Sequence, residues 1–501
     1  MKQLDDTALQ KEFAKAAKLA LAGDMEASRA LCEDLLIHHP DAPELHDLLG
    51  VYYVTKRDIA RAMPHLDHAI AKRPNSAQYL GHRASAYLEL HDYDKALDDL
   101  ERALRAKPHD ASAITNMLLT LNEMNRPNDA LQVLHNAEKI GVRDLDVRTL
   151  GVTFKQAGFL NKAKKLYRQA LQKNPANDGI LWNLSHILLL QEQFFDGWLA
   201  FEKRWGSPQF VDRVLQLPSR PWYGENLAGQ KLLVYFEQGI GDQIMFLSCL
   251  PGLLQRIDCN QAQIFIVCDK RLIPLLAERF QEASIIAAQE GIEQDLVQTH
   301  AIAWHVAMGT LPRICNLFVH TRIPLPALLT PAHEAVTRIR KELQEQFPGQ
   351  KLIGISWGSL LPHSGARNLA LADFSPLLCQ GNVTCIALQY GSNNHQLAEY
   401  YRKSGHRIHK IAHVELTTDI DKIIPLVAAL DAVVTAANTT VHLAGCIGKP
   451  CHVITSMVPS WRWGISDDNH CGWYGSVRLH RRHKDDESWE NAMGSAIKSL
   501  E

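Results

Sequence analysis

Residues 49–74 read LGVYYVTKRDIARAMPHLDHAIAKRP. A glycine, two tyrosines and two alanines seven residues apart lead to a closing proline, and the pattern recurs on both sides. Prolines at 40, 74, 108 and 175 lie 34, 34 and 67 residues apart, the last interval being 34 plus 33. Gly50, Ala84, Leu118, Gly151 and Ser185 share one position of that period. Tyr53, Tyr87, Leu121, Phe154 and Leu188 follow three residues later. Ala62, Ala96, Ala130 and Ala163 mark another position, with Ala69, Ala103, Ala137 and Ala170 after it. A period of this length belongs to a stacked array whose unit is a helical hairpin. Small residues let the paired helices approach, and aromatics fill the gaps between hairpins. Stacking buries a continuous core and leaves a concave groove. The fourth unit has Val142 where a proline is due, so its link to the next unit is expected to bend differently.

These positions resemble the tetratricopeptide repeat, over residues 8–206. The stretch WNLSHILLLQEQFFDGWLAFEKRW (182–205) reads as the last hairpin. Its Trp198, Phe201 and Trp205 form a helix face suited to packing on whatever follows. Residues 206–230 carry three prolines and three glycines, so 207–230 reads as a linker with turn chemistry.

From 231 the period changes. Short β-rich runs at 231–236, 263–268, 284–288, 351–357, 383–390, 432–436 and 451–456 alternate with helical stretches. Such alternation predicts parallel sheets covered on both faces. A polar helical stretch at 333–350 divides the runs into two groups. The expected fold is therefore an α-solenoid followed by an α/β part made of two Rossmann-like halves, 231–332 and 351–485, with a C-terminal helix at 486–501. Ligands of such sheets bind in the cleft at the carboxyl ends of the strands.

The balance of the chain excludes some classes. It is 46% hydrophobic and 22% charged, with a formal net charge of −2 over 501 residues. No basic excess points to nucleic acid. No apolar run reaches the ~18 residues of a membrane span, and the N-terminus lacks a signal-like apolar stretch, so a cytoplasmic protein is expected. Ten cysteines without CxxC pairs read as reduced thiols. No HExxH or His/Cys spacing suggests a metal, and none is expected.

The candidate chemistry begins at EQGIGDQIMF (237–246), between an apolar run and a helical stretch from Gln243 to Ile257. Gly239 and Gly241 suit a sharp turn and a close approach to a ligand. Asp242 fits either an N-cap or a carboxylate facing the cleft. The spacing lacks the third glycine of the dinucleotide fingerprint, and a carboxylate there disfavours phosphate. Both speak against a phosphate-binding loop. On the other half, Asn438, Thr439, Thr440 and His442 open a helix after a strand, which suits either an ordinary cap or a phosphate site.

These stretches, with IGISWGS (353–359), ARNLALADFSPLL (366–378), ALQYG (387–391) and AVVTAANTTVHLAGCIGKPCHVITSMVPSWRWG (432–464), resemble the heptosyltransferase-like enzymes of glycosyltransferase family 9, in the branch fused to tetratricopeptide repeats. The resemblance covers 231–485. It implies a GT-B architecture and metal-independent transfer of a sugar from a nucleotide-activated donor. No cofactor beyond that nucleotide-sugar co-substrate is implied. The matching aspartate, Asp242, is implied to be the general base, with Glu237 the alternative acid. Gln238, Gly239, Gly241 and His305 fall on the acceptor side. Ser356, Trp357, Arg367, Gln389, Tyr390, Asn438, Thr439, Thr440 and His442 fall on the donor side. The chain departs from the heptosyltransferase pattern at Ala437, where the family has an aspartate, which puts the heptose donor in doubt.

Repeat-fused enzymes of this kind resemble bacterial flagellin glycosyltransferases. That resemblance implies a protein acceptor held by the repeat groove, with flagellin the suspected one, and a CMP-nonulosonic acid among the donors. A homodimer is allowed. Two other readings stay open: an enzyme that glycosylates lipopolysaccharide or another glycan, and an inactive scaffold with a degenerate GT-B part.

Overall fold

The computed structural model describes residues 6–208, 210, 215–227, 229–257, 263–315, 327–359, 368–391, 393–411, 414–465, 469–483 and 488–500. The chain divides into two compact units, 1–166 and 167–501.

The first unit is built from helical hairpins. Asp6–Leu21 pairs with Met25–His38, Pro43–Thr55 with Ile59–Lys72, Ala77–Glu89 with Tyr93–Ala106, and Ala111–Glu123 with Pro127–Lys139. Each hairpin turn holds one residue in the left-handed region: Gly23, Arg57, His91 and Asn125, 34 residues apart. An aspartate caps three of the second helices. Asp24, Asp58 and Asp92 accept from the backbone N–H three residues on, a contact worth about 1 kcal/mol. The small residues do what their register implies. Ala62, Ala69, Ala84, Ala96, Ala103 and Ala130 are fully buried. A Cβ on Gly50 would stand 2.5 Å from Leu66 Cγ, so the first helix of that hairpin lies hard against the second. After the fourth hairpin, where the proline is missing, Gly141 takes the left-handed region, Val142 is buried and the next helix begins only at Val147.

The second unit opens with the end of the helical array, the pair Asp178–Leu190 and Phe194–Phe201 and a 3-10 turn at Glu202–Gly206. It then forms two five-stranded parallel sheets, the architecture expected of a GT-B part. The strands are β1 (Arg220–Pro221), β2 (Leu232–Tyr235), β3 (Ile264–Cys268), β4 (Ala283–Ala287), β5 (Trp304–Ala307), β6 (Lys351–Ser356), β7 (Val383–Ala387), β8 (Ala432–Ala436), β9 (Cys451–Thr455) and β10 (Val477–Arg481). The first sheet runs β1-β5-β2-β3-β4 and the second β10-β9-β8-β6-β7. Strands β2, β3, β8 and β9 are buried along their whole length, as parallel strands covered on both faces must be.

A single aromatic core ties the last helical hairpin to both sheets. Trp461, from the loop after β9, meets Trp198 at 5.7 Å, Phe201 at 5.3 Å and Phe246 at 6.5 Å between ring centroids. Trp198 also meets Trp473, and Trp205 packs on Phe210. Helices Ile240–Leu247 and Thr439–Cys446, one from each half, lie in contact across the cleft.

Replacing Gly50 with alanine forces its Cβ into Leu66. We expect a loss of about 1–3 kcal/mol, the usual penalty of overpacking, seen as a lower urea midpoint of the helical signal at 222 nm.

Candidate active site

Strand β2 ends at Tyr235 and the chain turns into helix Ile240–Leu247. The turn is not made by its glycines. Gly239 is extended, with φ −76° and ψ 168°, and the left-handed residue is Gln238, with φ 62°. What Gly241 provides is proximity: a Cβ there would lie 2.9 Å from His442 Cδ2, on the facing helix. The helix begins three residues earlier than the sequence suggests. Its N-cap is Gly239, so Asp242 stands inside the first turn and is not the cap.

Asp242 instead faces Arg462. The guanidinium donates from Nε to Oδ1 at 2.5 Å and from Nη2 to Oδ2 at 2.9 Å, a two-pronged pair between residues 220 positions apart. Arg462 Nη2 also donates to Gln238 Oε1 at 3.1 Å and Nη1 to Ser460 Oγ at 2.9 Å. The Trp461 ring lies under the guanidinium at 4.6 Å. The pair is mostly shielded, with side chains 18% and 14% exposed. Such fork-on-carboxylate geometry is the strongest that two side chains offer.

Opposite, Asn438 caps helix Thr439–Cys446 by accepting from Thr440 N at 2.9 Å. Its amide donates to Ser356 Oγ at 2.8 Å and to Gly358 O at 2.9 Å. Gln389 is likewise turned inward. Its Oε1 accepts from Ser356 Oγ, Trp357 N and Gly358 N, all within 3.0 Å. Trp357 is buried and donates to Gln396. These residues brace the loop after β6 from behind. Asn438 also reaches the cleft, together with Ser359, Tyr390, Thr439 and His442.

His442 is buried beside Trp463, and its Nδ1 lies 3.0 Å from the Tyr474 hydroxyl. Burial pushes its imidazole down to about 4, against the pull of Asp242. It is a neutral hydrogen-bonding group at ordinary pH.

These groups line a cleft of about 320 Å³ that includes Gly239, Gly241, Asp242, Ala437, Asn438, Thr439, His442 and Arg462. A largely apolar pocket of about 170 Å³ adjoins it, sharing Ile240, Tyr390 and Thr439 and lined further by Leu416, Ile420 and Thr440. That size and composition suit a small polar ligand with a flat apolar end.

Two candidates lie elsewhere. Glu237 is 2% exposed and pairs with Arg204, Nη2 to Oε2 at 2.8 Å, so it faces away from the cleft. His305 sits on β5, its Nδ1 2.8 Å from Ser219 Oγ. It lines a separate open groove of about 730 Å³ with Trp205, Tyr223, Tyr235, Thr310 and Arg313. Arg367 lies outside the described residues. Sequence reasoning missed Arg462. Among the described residues, no group of three or more His, Cys, Asp or Glu is placed to hold a metal, and no helix is long and apolar enough to cross a membrane.

An α-solenoid joined to two Rossmann-like halves with a polar cleft is the class that fold and site define. Residues 48–111 match the sequence model of the tetratricopeptide repeat. The chain is similar to Protein FlbA of Caulobacter vibrioides, with 24% identity over 492 residues covering 88% of this chain and 81% of that protein. Among solved structures it is similar to the glycosyl transferase family 9 protein of Veillonella parvula, at 10% identity and TM-score 0.42, covering 55% of this chain and 98% of that one. It is also similar to the ADP-heptose lipopolysaccharide heptosyltransferase II of E. coli, at 16% identity and TM-score 0.40, covering 54% and 98%.

The buried histidine gives a pH test. The unfolded imidazole titrates near ~6.5, and the native one near about 4. Between these values the unfolded chain binds a proton that the native site refuses, so acidification destabilises the fold. At pH 5 the deficit against pH 7 is about 2 kcal/mol. His452 and His480, also pushed down to about 4, add to the wild-type slope. The expected result is therefore a difference: His442→Asn shows a smaller loss of urea stability from pH 7 to 5 than wild type.

Proposed function

We propose that the protein is a glycosyltransferase that moves a sugar from a nucleotide-activated donor to Ser or Thr hydroxyls of a protein acceptor. The observation that carries this reading is the cleft itself. At the carboxyl ends of two parallel sheets, a carboxylate from one half is gripped by a guanidinium from the other. A neutral imidazole and an apolar pocket stand beside them.

The donor's base fits the apolar pocket, and its phosphates fall near Arg462 and the start of helix Thr439–Cys446. A planar fork suits phosphate oxygens, and a helix N-terminus favours negative charge. Arg462 thus has two anionic partners to choose between. With the donor absent it holds Asp242. With the donor bound it turns to the leaving phosphate and frees Asp242. The freed carboxylate then takes the proton of the acceptor hydroxyl as that oxygen attacks the anomeric carbon, and the bond from that carbon to the phosphate oxygen breaks. His442, uncharged, adds a hydrogen bond without repelling Arg462.

The acceptor approaches from the first sheet, where the groove beside His305 and Tyr223 lies. The repeats supply the docking that keeps a weakly recognised hydroxyl near the site. A flagellin-like polypeptide is the acceptor that the resemblance favours, and a CMP-nonulosonic acid one donor. Ala437 lines the cleft where the resembled enzymes carry an acid, which supports a donor other than a heptose.

A thermal-shift panel of CMP, CDP, UDP, GDP, ADP, dTDP and CMP-nonulosonic acid tests this. One nucleotide at a hundredfold excess over its Kd should stabilise by about 2.7 kcal/mol. Asp242→Ala should keep that shift and lose at least about 100-fold in transfer to the acceptor. Arg462→Ala should lose the shift. A panel with no shift at all would defeat the enzyme reading and leave the scaffold.

A further inference from the structure

Arg204 has no exposed surface. It sits in the 3-10 turn that ends the helical array, with the rings of Phe201 and Trp205 at 4.9 and 4.5 Å from its guanidinium. Every prong is occupied. Nε and Nη2 donate to Glu237 Oε2 at 3.1 and 2.8 Å, and Nη2 also donates to Thr310 Oγ1 at 3.0 Å. Nη1 donates to Glu202 Oε1 and Phe201 O, both at 3.3 Å. Gly309, lacking a side chain, leaves room for the Glu237 carboxylate.

The arrangement continues past Glu237. Gln238 Nε2 donates to Glu237 Oε1 at 3.2 Å, and Gln238 Oε1 accepts from Arg462 Nη2 at 3.1 Å. Arg462 then forks onto Asp242. The signs alternate along the row: a guanidinium, a carboxylate, an amide, a guanidinium, a carboxylate. A carboxylate can only accept and a guanidinium can only donate. The amide of Gln238 therefore has one orientation that satisfies both neighbours. Its backbone, at φ 62°, lies where a residue with a side chain is disfavoured. Contacts of this kind are what hold such a residue in place.

We propose that Arg204, Glu237 and Gln238 are positioning residues for the transfer site, and that the last hairpin of the array is thereby part of that site. Arg204 fixes Glu237, Glu237 fixes the Gln238 amide, and Gln238 aims the Arg462 fork at Asp242. The inference rests on the reading of Asp242 and Arg462 given above. A buried ion pair can also act as a plain staple, and the experiment separates the two.

The full-length protein is labelled with 15N-arginine, and the Arg462 Nε–H signal is assigned with Arg462→Lys. Its exchange with water reports how firmly it is held on Asp242. Gln238→Gly suits the left-handed backbone, which offsets part of the two side-chain hydrogen bonds lost, so the fold should be kept. Exchange of Arg462 Nε–H should quicken about tenfold, the scale of one lost orienting contact. The double variant Arg204→Met/Glu237→Met removes the buried charges while keeping the volume, which such sites tolerate. It should quicken the same signal by a similar factor. Adding Gln238→Gly to it should change little further, as for groups acting in one network. Exchange at the wild-type rate in either variant overturns the proposal and leaves Arg204 and Glu237 as a staple. Absence of transfer by the wild-type protein would instead overturn the enzyme reading, and the Arg462 signal would then decide only whether the row aims Arg462 at Asp242.

Discussion

A guanidinium with no exposed surface organises the second unit. Arg204 cannot be stranded without a large penalty, since removing one partner of a buried ion pair costs about 3–5 kcal/mol. Its five donors therefore dictate where Glu202, Glu237 and Thr310 must stand. Those three come from the end of the helical array, the end of β2 and the turn after β5. Fixing them fixes the carboxyl edge of the first sheet, which is where this kind of fold binds ligands. The aromatic core around Trp198, Phe201 and Trp461 keeps water away from the pair and joins the same hairpin to the second sheet.

From that fixed edge the cleft follows. The turn after β2 carries Gln238 and Asp242, and the loop after β9 brings Arg462 to meet them. The Asp242–Arg462 pair explains two features together. It gives a carboxylate in a shielded cleft two donors, and in the proposed mechanism it holds a cation in reserve for an incoming anion. His442, stripped of its proton by burial, can sit beside Arg462 without repelling it. A polar cleft with an apolar annex has the shape that the proposed donor, charged at one end and flat at the other, requires.

Much of the fold was written in the sequence as period. The 34-residue register of Gly50, Tyr53, Ala62 and Pro74 specified a hairpin array because each position answers to a packing need. All seven apolar runs read as strands became strands, and four of them are buried along their whole length, as parallel strands covered on both faces are. Three strands were not legible. β1 has two residues, β5 begins Trp-His, and β10 alternates Val-Arg-Leu-His-Arg, so none carries the apolar run that marks the others. The site was legible in its loops but not in its pairings. Asp242, readable from sequence as either a cap or a cleft carboxylate, lines the cleft, while its partner comes from 220 residues away, a distance no local pattern encodes. Gln389 looks from sequence like a ligand-facing amide at a strand end. It turned inward because three donors of the β6 loop needed an acceptor. Gly239 and Gly241 looked like the turn, whereas Gln238 makes it, held by contacts to both its neighbours in the polar row.

The most direct measurement is a crystal structure of the protein soaked with CMP, UDP and GDP in turn. One of these is expected to place its base against Ile240, Tyr390 and Ile420 and its phosphate oxygens on the Arg462 guanidinium, with Asp242 released. A nucleotide bound outside this cleft, or phosphates in the cleft with Arg462 still locked on Asp242, would contradict it.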